Sequence, residues 1–338
     1  MELKDKFIET YPNAFYLQLQ QTPALTDYLR KQRWMGKNET IKHIEKPGEG
    51  NMNFVMRIIT TQKSLIVKQA RPWVQKYPQV AAPIERITVE ATFYKAIQKD
   101  TILKTFTPQL IGYDKINFTL ALEDLGAGLD FSDLYQKNIF LNENELMDLM
   151  TFISRLHNLP KPPFPRNISM KTLNHEHIFN YPFIENNGFD LDGVHNGLQA
   201  VSMAYKKNTA LKKRVQKLGR LYLKNTGVCL IHGDYYPGSW LKMGSGVKVI
   251  DPEFGFVGRP EFDLGVLIAH LAMSEHNSNF IEKAISLYEK PSGFDEPMMW
   301  SFAGTEILRR ILGLAQLPLS LNLNQKVQLM EQAVSWIG

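Results

Sequence analysis

Cysteine is nearly absent from this chain. The single residue Cys229 among 338 allows no internal disulfide, and a reducing compartment is the expected setting. No apolar run approaches the ~20 residues that a membrane-spanning helix requires; the longest, Val266 to Met273, is broken by His270. Met1 to Thr10 is charged and holds no apolar stretch that would act as a signal peptide. A strong charge is missing too. The net charge of +5 suits an anionic small ligand but is too mild an excess to argue for nucleic acid. There is no internal repeat and no low-complexity segment. The expectation is a cytoplasmic protein with neither a membrane nor a nucleic-acid partner. With 44% hydrophobic and 22% charged residues, the composition is that of a globular chain long enough for two lobes with their own cores.

The most informative stretch runs from Leu230 to Asp263. His232-Gly233-Asp234 follows the apolar run Val228 to Ile231, and Asp251-Pro252-Glu253 follows a second run, Val247 to Ile250. Each run reads as a short buried strand delivering a carboxylate to its exposed end. The two acids are 17 positions apart and joined by a turn containing Gly244 and Gly246, the pattern of one hairpin. Phosphoryl transfer from ATP needs such a pairing: one carboxylate orients the acceptor hydroxyl and takes its proton, another holds Mg²⁺ on the phosphates. Asp234 is the candidate for the first task and Asp251 for the second, with Glu253 a further oxygen ligand suited to Mg²⁺. His232 reads as structural. Asp263 opens an apolar helix and reads as its N-cap.

Helical spacing over 22–34, with a stop at Gly36, is followed by β-like runs at Phe54 to Ile59 and Leu65 to Val67. A helical pattern over 84–99 and a third β-run, Phe118 to Leu122, lead into Glu123-Asp124 and two glycines, Gly126 and Gly128. This order predicts a small β-rich lobe over 1–123. Asn142 with Glu145 is a capping signature, and 160–190 reads as a long irregular connection. Helices are predicted near 197–224, 262–275, 278–289, 297–314 and 324–336, giving a mainly helical lobe over 124–338. The fold class is α+β, and the architecture bilobal and protein-kinase-like.

The first lobe carries the nucleotide signals. Gly48, Gly50, Asn51 and Asn53 precede a strand, and small residues there let backbone N–H groups approach phosphates. Lys68 follows on the next strand and Glu90 on the helix after it, a pair that would aim the ammonium at phosphates. The plainer alternative makes Lys68 a surface lysine on an edge strand. The linker at Glu123 to Gly126 would meet an adenine through its backbone.

Together HGD…GS…IDPEF…FDLG resembles the phosphotransferase superfamily of aminoglycoside and choline kinases, which share the protein-kinase-like fold. In that fold an aspartate at the position of Asp263 also braces the catalytic loop. Only 11 residues separate Asp251 from Asp263, and neither HRD nor DFG occurs, so a small-molecule acceptor is implied rather than a peptide. More narrowly, Gly48 to Val55, Val67 to Ala70, Glu85-Arg86 with Glu90, Asp251 to Phe254, Phe262 to Gly265, and Ile307 to Ala315 resemble methylthioribose kinases. The resemblance implies Ser239 as a metal ligand and Arg309 and Arg310 as contributors to the sugar site. The plainer reading has one arginine capping carbonyls and the other solvated.

Three departures bear on the acceptor. Tyr235-Tyr236-Pro237 stands where those kinases carry Leu-His-Thr, adding aromatic surface beside the acceptor, with Trp240 as a further lining residue. The chain is also shorter than typical members. Finally, Gln32-Arg33-Trp34-Met35-Gly36-Lys37 is similar to an element of maltokinases. The implied activity is an ATP- and Mg²⁺-dependent kinase of a small hydroxylated metabolite, a methylthioribose-like sugar first and another sugar, amino alcohol or aminoglycoside second. A nucleotide-binding pseudokinase is the reading from another class, and a homodimer is compatible with all three.

Overall fold

The computed structural model describes residues 2–48, 52–224 and 226–338. The chain divides into two compact units, Met1–Ala127 and Gly128–Gly338.

The first unit holds helices α1 (Leu3–Thr10), α2 (Pro23–Lys31) and α3 (Arg86–Ile97) and strands β1 (Ile41–Glu45), β2 (Phe54–Thr60), β3 (Ser64–Gln69), β4 (Leu110–Asp114) and β5 (Thr119–Glu123). The strands form one antiparallel sheet in the order β1-β2-β3-β5-β4. Alternation decides its faces. Met56, Ile58, Leu65 and Val67 point to one side and pack with Leu25, Leu29 and Trp34, the apolar stripe of α2 and the turn after it. Lys68 lies on the central strand, opposite Val55 and Leu120, so it is not an edge-strand lysine. Helix α2 starts where Thr22 caps it, its hydroxyl accepting from Leu25 N–H at 3.1 Å. It stops earlier than the predicted Gly36, at Lys31, because Arg33 takes a left-handed φ of 61°.

Strands β1 and β4 escape the alternation rule. Both are edge strands with an irregular register, and β4 carries a glycine at its centre. Gly112 is there because the Trp34 indole lies against it: a Cβ at this position would sit 1.9 Å from Trp34 Nε1. Gln32 adds a hydrogen bond to Asp114 at 2.6 Å. The Gln32–Lys37 element therefore serves here as packing between α2 and the sheet edge.

In the second unit, α4 (Glu143–His157) opens with a complete capping box: Asn142 Oδ1 accepts from Glu145 N–H at 3.0 Å, and Glu145 returns the bond to Asn142 N–H at 2.9 Å. The stretch 160–190 is not irregular throughout. It forms α5 (Ile168–His175) and continues through one wide and one tight helical turn to Phe183. The single helix expected over 197–224 is two, α6 (Leu198–Lys206) and α7 (Thr209–Leu223), because Asn208 caps the second. Then follow α8 (Pro260–Met273), α9 (Ser278–Leu287), α10 (Glu296–Leu312) and α11 (Leu323–Ile337). Helix α8 is apolar nearly all round and buried along its length, as expected for a central helix; Phe262 meets Phe302 of α10 edge-on at 5.3 Å.

Five short strands complete this unit: β6 (Leu129–Asp130), β7 (Cys229–Ile231), β8 (Trp240–Met243), β9 (Gly246–Val249) and β10 (Phe256–Gly258). The two acid-bearing runs do not form a hairpin with each other. β7 pairs with β10, and β9 pairs with β8, which pairs in turn with β6. The acids are brought together by the turns after β7 and β9 instead.

Gly112→Ala should destabilise the protein by about 1–3 kcal/mol, the cost of overpacking. Gly244→Ala, whose added Cβ meets open space, should change stability by under about 0.5 kcal/mol. Urea unfolding midpoints compare the two.

Candidate active site

On the first unit, Lys68 Nζ and Glu90 Oε1 form an ion pair of 2.7 Å whose side chains are 7% and 0% exposed. Gly48 lies beside open space, whereas Gly50 and Asn51 fall outside the described residues. Asn53 is buried, and its carbonyl oxygen accepts from Arg86 Nε at 2.8 Å. Arg86 was noted in the sequence only as part of a motif, yet it is the anchor of this corner. Fully buried at the start of α3, it also donates to the carbonyls of Met52 at 2.8 Å, Arg71 at 2.9 Å and Pro83 at 2.7 Å. One guanidinium thus ties the end of the glycine-containing loop to the helix carrying Glu90. The Asn53 side chain serves that anchor. At the linker, the Glu123 N–H is already spent on the Gln109 carbonyl at 2.8 Å, so it is not a donor for an adenine edge. Its carboxylate accepts from Gln109 N–H at 3.1 Å.

On the second unit, the turn after β7 carries His232-Gly233-Asp234. Gly233 has φ 82°, and a Cβ there would meet Phe254 O at 2.3 Å, so only glycine lets this loop lie on the turn at 252–254. Asp263 is fully buried and holds the loop from behind. Its oxygens accept from His232 N–H at 2.6 Å and Gly233 N–H at 2.9 Å. It is not an N-cap, since α8 starts at Pro260. His157 of α4 contacts the same carboxylate at 3.3 Å and Tyr288 Oη at 2.7 Å. The His232 imidazole accepts from Asp234 N–H at 3.3 Å, which leaves Nε2 to donate to Ile250 O at 3.0 Å. Burial lowers its pKa, in keeping with this neutral form. His232 thereby links the loop of Asp234 to the residue preceding Asp251.

Asp234 is pushed up to about 6, first by loss of water, with the Arg310 and Arg309 charges opposing and those of Glu306 and Asp251 adding to the rise. Asp251 has a left-handed φ of 62° and opens the tight turn Pro252–Phe254 that carries buried Glu253. Asn167, which the sequence did not single out, holds this turn by donating to the carbonyls of Glu253 at 3.1 Å and Gly255 at 3.0 Å. Ser239 is joined to the same corner, its carbonyl accepting from Ile250 N–H at 3.0 Å. The donor set suits Mg²⁺. Among the described residues no group of three or more His, Cys, Asp or Glu side chains could hold a metal by itself, and Mg²⁺ characteristically takes one or two carboxylates together with phosphate oxygens and water.

Two of the expected acceptor residues lie elsewhere. Tyr235 and Trp240 are both 0% exposed. Tyr235 donates to Leu149 O at 2.9 Å and stacks on Phe152, while Trp240 packs edge-on against Phe131 and Tyr235. Both are core residues. Tyr236 alone of the three is partly exposed, with the Arg310 guanidinium 4.7 Å over its ring and His270 packed at 5.4 Å.

Neither Arg309 nor Arg310 is solvated; each is 6% exposed. Both share Glu306, one turn back on α10: Arg309 Nε donates to Oε2 at 2.5 Å and Arg310 Nε to Oε1 at 2.7 Å. The paired guanidinium charges hold the Glu306 carboxyl well below its usual range despite burial, and Glu306 in turn raises the pKa of Arg310. Glu306 was missed, although a glutamate three and four residues before two arginines is a helical pairing signal.

A model of the phosphotransferase enzyme family matches residues 43–300. Similar relatives include the methylthioribose kinases of Exiguobacterium sibiricum, 26% identical over 87% of this chain and 86% of the relative, and of Bacillus mycoides, 24% identical over 95% and 92%. Among solved structures, the choline kinase LicA of Streptococcus pneumoniae aligns with a TM-score of 0.52 at 14% identity, covering 94% of this chain and 99% of that one. A spectinomycin phosphotransferase bound to ADP and spectinomycin aligns with a TM-score of 0.50 at 14% identity, covering 95% and 98%.

Removing one member of a buried ion pair strands the other charge. Lys68→Met and Glu90→Gln should therefore each cost about 3–5 kcal/mol of stability, and the double variant well under their sum. Chemical unfolding of the four proteins measures the coupling, and additive losses would contradict it.

Proposed function

The chain belongs to the phosphotransferase enzyme family and is a small-molecule kinase using ATP; from that premise we propose that it phosphorylates a hydroxyl of methylthioribose or a closely related neutral sugar. The observation that carries the choice of acceptor is the pair Arg309 and Arg310 on Glu306, whose charges also act on Asp234. Two guanidiniums share one glutamate beside the base, so cationic side chains already stand where the acceptor would lie. That repels choline, amino alcohols and aminoglycosides, which are cations, and offers N–H donors to the lone pairs of a neutral polyol. The names of the relatives, aligned over more than four-fifths of this chain, support the same class.

In this reading 1–123 binds the nucleotide, and Lys68, held by Glu90, contacts its phosphates along with Gly48. The region 124–338 carries the chemistry and the acceptor. The Asp234 carboxylate accepts a hydrogen bond from the acceptor hydroxyl, aligns it and receives its proton as the oxygen bonds to the γ-phosphorus and ADP leaves. Positioning is its main task in a loose transition state, and partial desolvation makes it a readier proton acceptor. Asp251 and Glu253, with Ser239, would hold Mg²⁺, whose charge would neutralise and orient the phosphate oxygens. Asp263 and His232 keep Asp234 fixed relative to Asp251. No helix among the described residues is long and apolar enough to cross a membrane, and with one buried cysteine the proposed compartment is the cytoplasm.

ADP release should be measured with Mg²⁺–ATP and a panel of methylthioribose, other neutral sugars, choline and an aminoglycoside. A neutral sugar should drive release, with the cations at background; turnover of choline or the aminoglycoside alone would refute the arginine argument. With the accepted sugar, Arg309→Lys or Arg310→Lys should raise the acceptor KM at least tenfold, about 1.4 kcal/mol, with the KM for ATP within twofold.

A further inference from the structure

Adjacent helical residues point about 100° apart, so Arg309 and Arg310 would ordinarily serve different surroundings. Glu306 removes that divergence. It stands at i−3 from one and i−4 from the other, and each carboxylate oxygen takes one Nε–H. Binding through Nε draws both guanidiniums to one carboxylate and leaves the terminal amino groups for other tasks. The Nη atoms of Arg309 have no hydrogen-bond partner among the described residues, and Arg310 spends Nη1 only on a long 3.4 Å contact to Ala315 O.

Glu306 is itself oriented. His270 of α8 contacts Oε1 through Nε2 at 3.2 Å, and Tyr135 contacts His270 Nδ1 at 2.6 Å. The carboxylate between two guanidiniums is ionised and can only accept, so Nε2 carries the proton. Burial keeps the imidazole neutral, its pKa pushed down to about 4, so Nδ1 accepts and the Tyr135 hydroxyl donates. Tyr135, His270 and Glu306 are 3%, 1% and 1% exposed, too dry for water to substitute for a lost member. The His270 ring also packs against Tyr236, over which Arg310 lies. Three remote pieces of chain, the turn Ser132–Tyr135, α8 and α10, therefore converge on the rotamers of two arginines.

We propose that Tyr135, His270 and Glu306 are positioning residues: a hydrogen-bonded chain that fixes the Arg309 and Arg310 forks before the acceptor arrives and so sets acceptor affinity. This rests on the reading that the arginine pair receives the acceptor. Fixing two long side chains in advance removes an ordering cost that binding would otherwise bear. A buried ion triplet is a poor device for stability alone, because desolvation of the charges offsets their attraction.

Glu306→Gln keeps the side-chain shape but removes the charge that attracts both Nε–H groups. Tyr135→Phe removes one hydroxyl at the far end of the chain. Dissociation constants for methylthioribose (or the panel sugar that the wild type phosphorylates) and for ATP are measured by calorimetry, alongside melting temperature. Glu306→Gln should weaken acceptor binding at least tenfold and Tyr135→Phe about threefold, with ATP affinity within twofold for both. If Arg309→Lys weakens acceptor binding while Glu306→Gln does not, the positioning inference fails and the arginine reading stands. If neither does, the arginine reading itself fails. Equal losses for acceptor and ATP would mark Glu306 as merely structural and overturn the inference. Should Glu306→Gln fail to fold, Tyr135→Phe decides: unchanged acceptor affinity overturns the inference.

Discussion

The carboxylate of Asp263 accepts hydrogen bonds from two consecutive backbone N–H groups, His232 and Gly233, and the placement of the two acid-bearing turns follows from it. A sharp turn at the end of a buried strand exposes N–H groups that the strand no longer pairs, and leaving them unmet in a dry interior would be costly. Asp263 meets both with one side chain, which His157 contacts, and Tyr288 in turn holds His157. The loop so held has a glycine where Phe254 O would collide with any Cβ. It therefore lies directly on the turn that carries Asp251 and Glu253. His232 closes the circuit by donating to Ile250 O. Two strands that never pair with each other thus present their terminal acids at one place.

Much of this was legible because the relevant signals are local. The capping box at Asn142 and Glu145, the helical spacing over 22–34, and the helices expected near 262–275 and 297–314 all rest on rules of one element. The Lys68 and Glu90 pairing was legible because a lysine within an apolar strand needs a partner. What failed was non-local. β7 pairs with β10 rather than with β9 because β9 is claimed by β8, and no rule of hairpin spacing contains that competition. Tyr235 and Trp240 adjoin Asp234 and Ser239 in sequence, but backbone direction turns their rings into the core, where Leu149 O and Phe131 await them. His270 and Tyr135 have no sequence signal at all: their roles arise from contacts spanning 36 and 135 positions.

Charge burial separates structural need from functional use. The pair Lys68–Glu90 and the triplet Arg309–Glu306–Arg310 both take charges out of water, which folding alone rarely rewards. Arg86 is a contrast, for its guanidinium donates to Asn53 and to three backbone carbonyls. In the triplet, donors remain unspent beside a carboxylate whose pKa burial has raised. That combination suits an uncharged, oxygen-rich acceptor better than the cations acted on by choline and aminoglycoside kinases. Of the two tyrosines that distinguish this stretch from methylthioribose kinases, Tyr235 is buried in the core and Tyr236 is partly exposed beneath the Arg310 guanidinium.

In the proposed reaction Asp234 acts on the acceptor hydroxyl and not on the nucleotide. Single-turnover transfer of the γ-phosphoryl group from labelled ATP to the accepted sugar tests this most directly, comparing wild type with Asp234→Asn and measuring ATP affinity in parallel. The amide should bind Mg²⁺–ATP within about threefold of wild type, under ~0.7 kcal/mol, and transfer the phosphoryl group at least a thousandfold more slowly. Transfer by Asp234→Asn at near the wild-type rate would mean that Asp234 does not act on the acceptor hydroxyl.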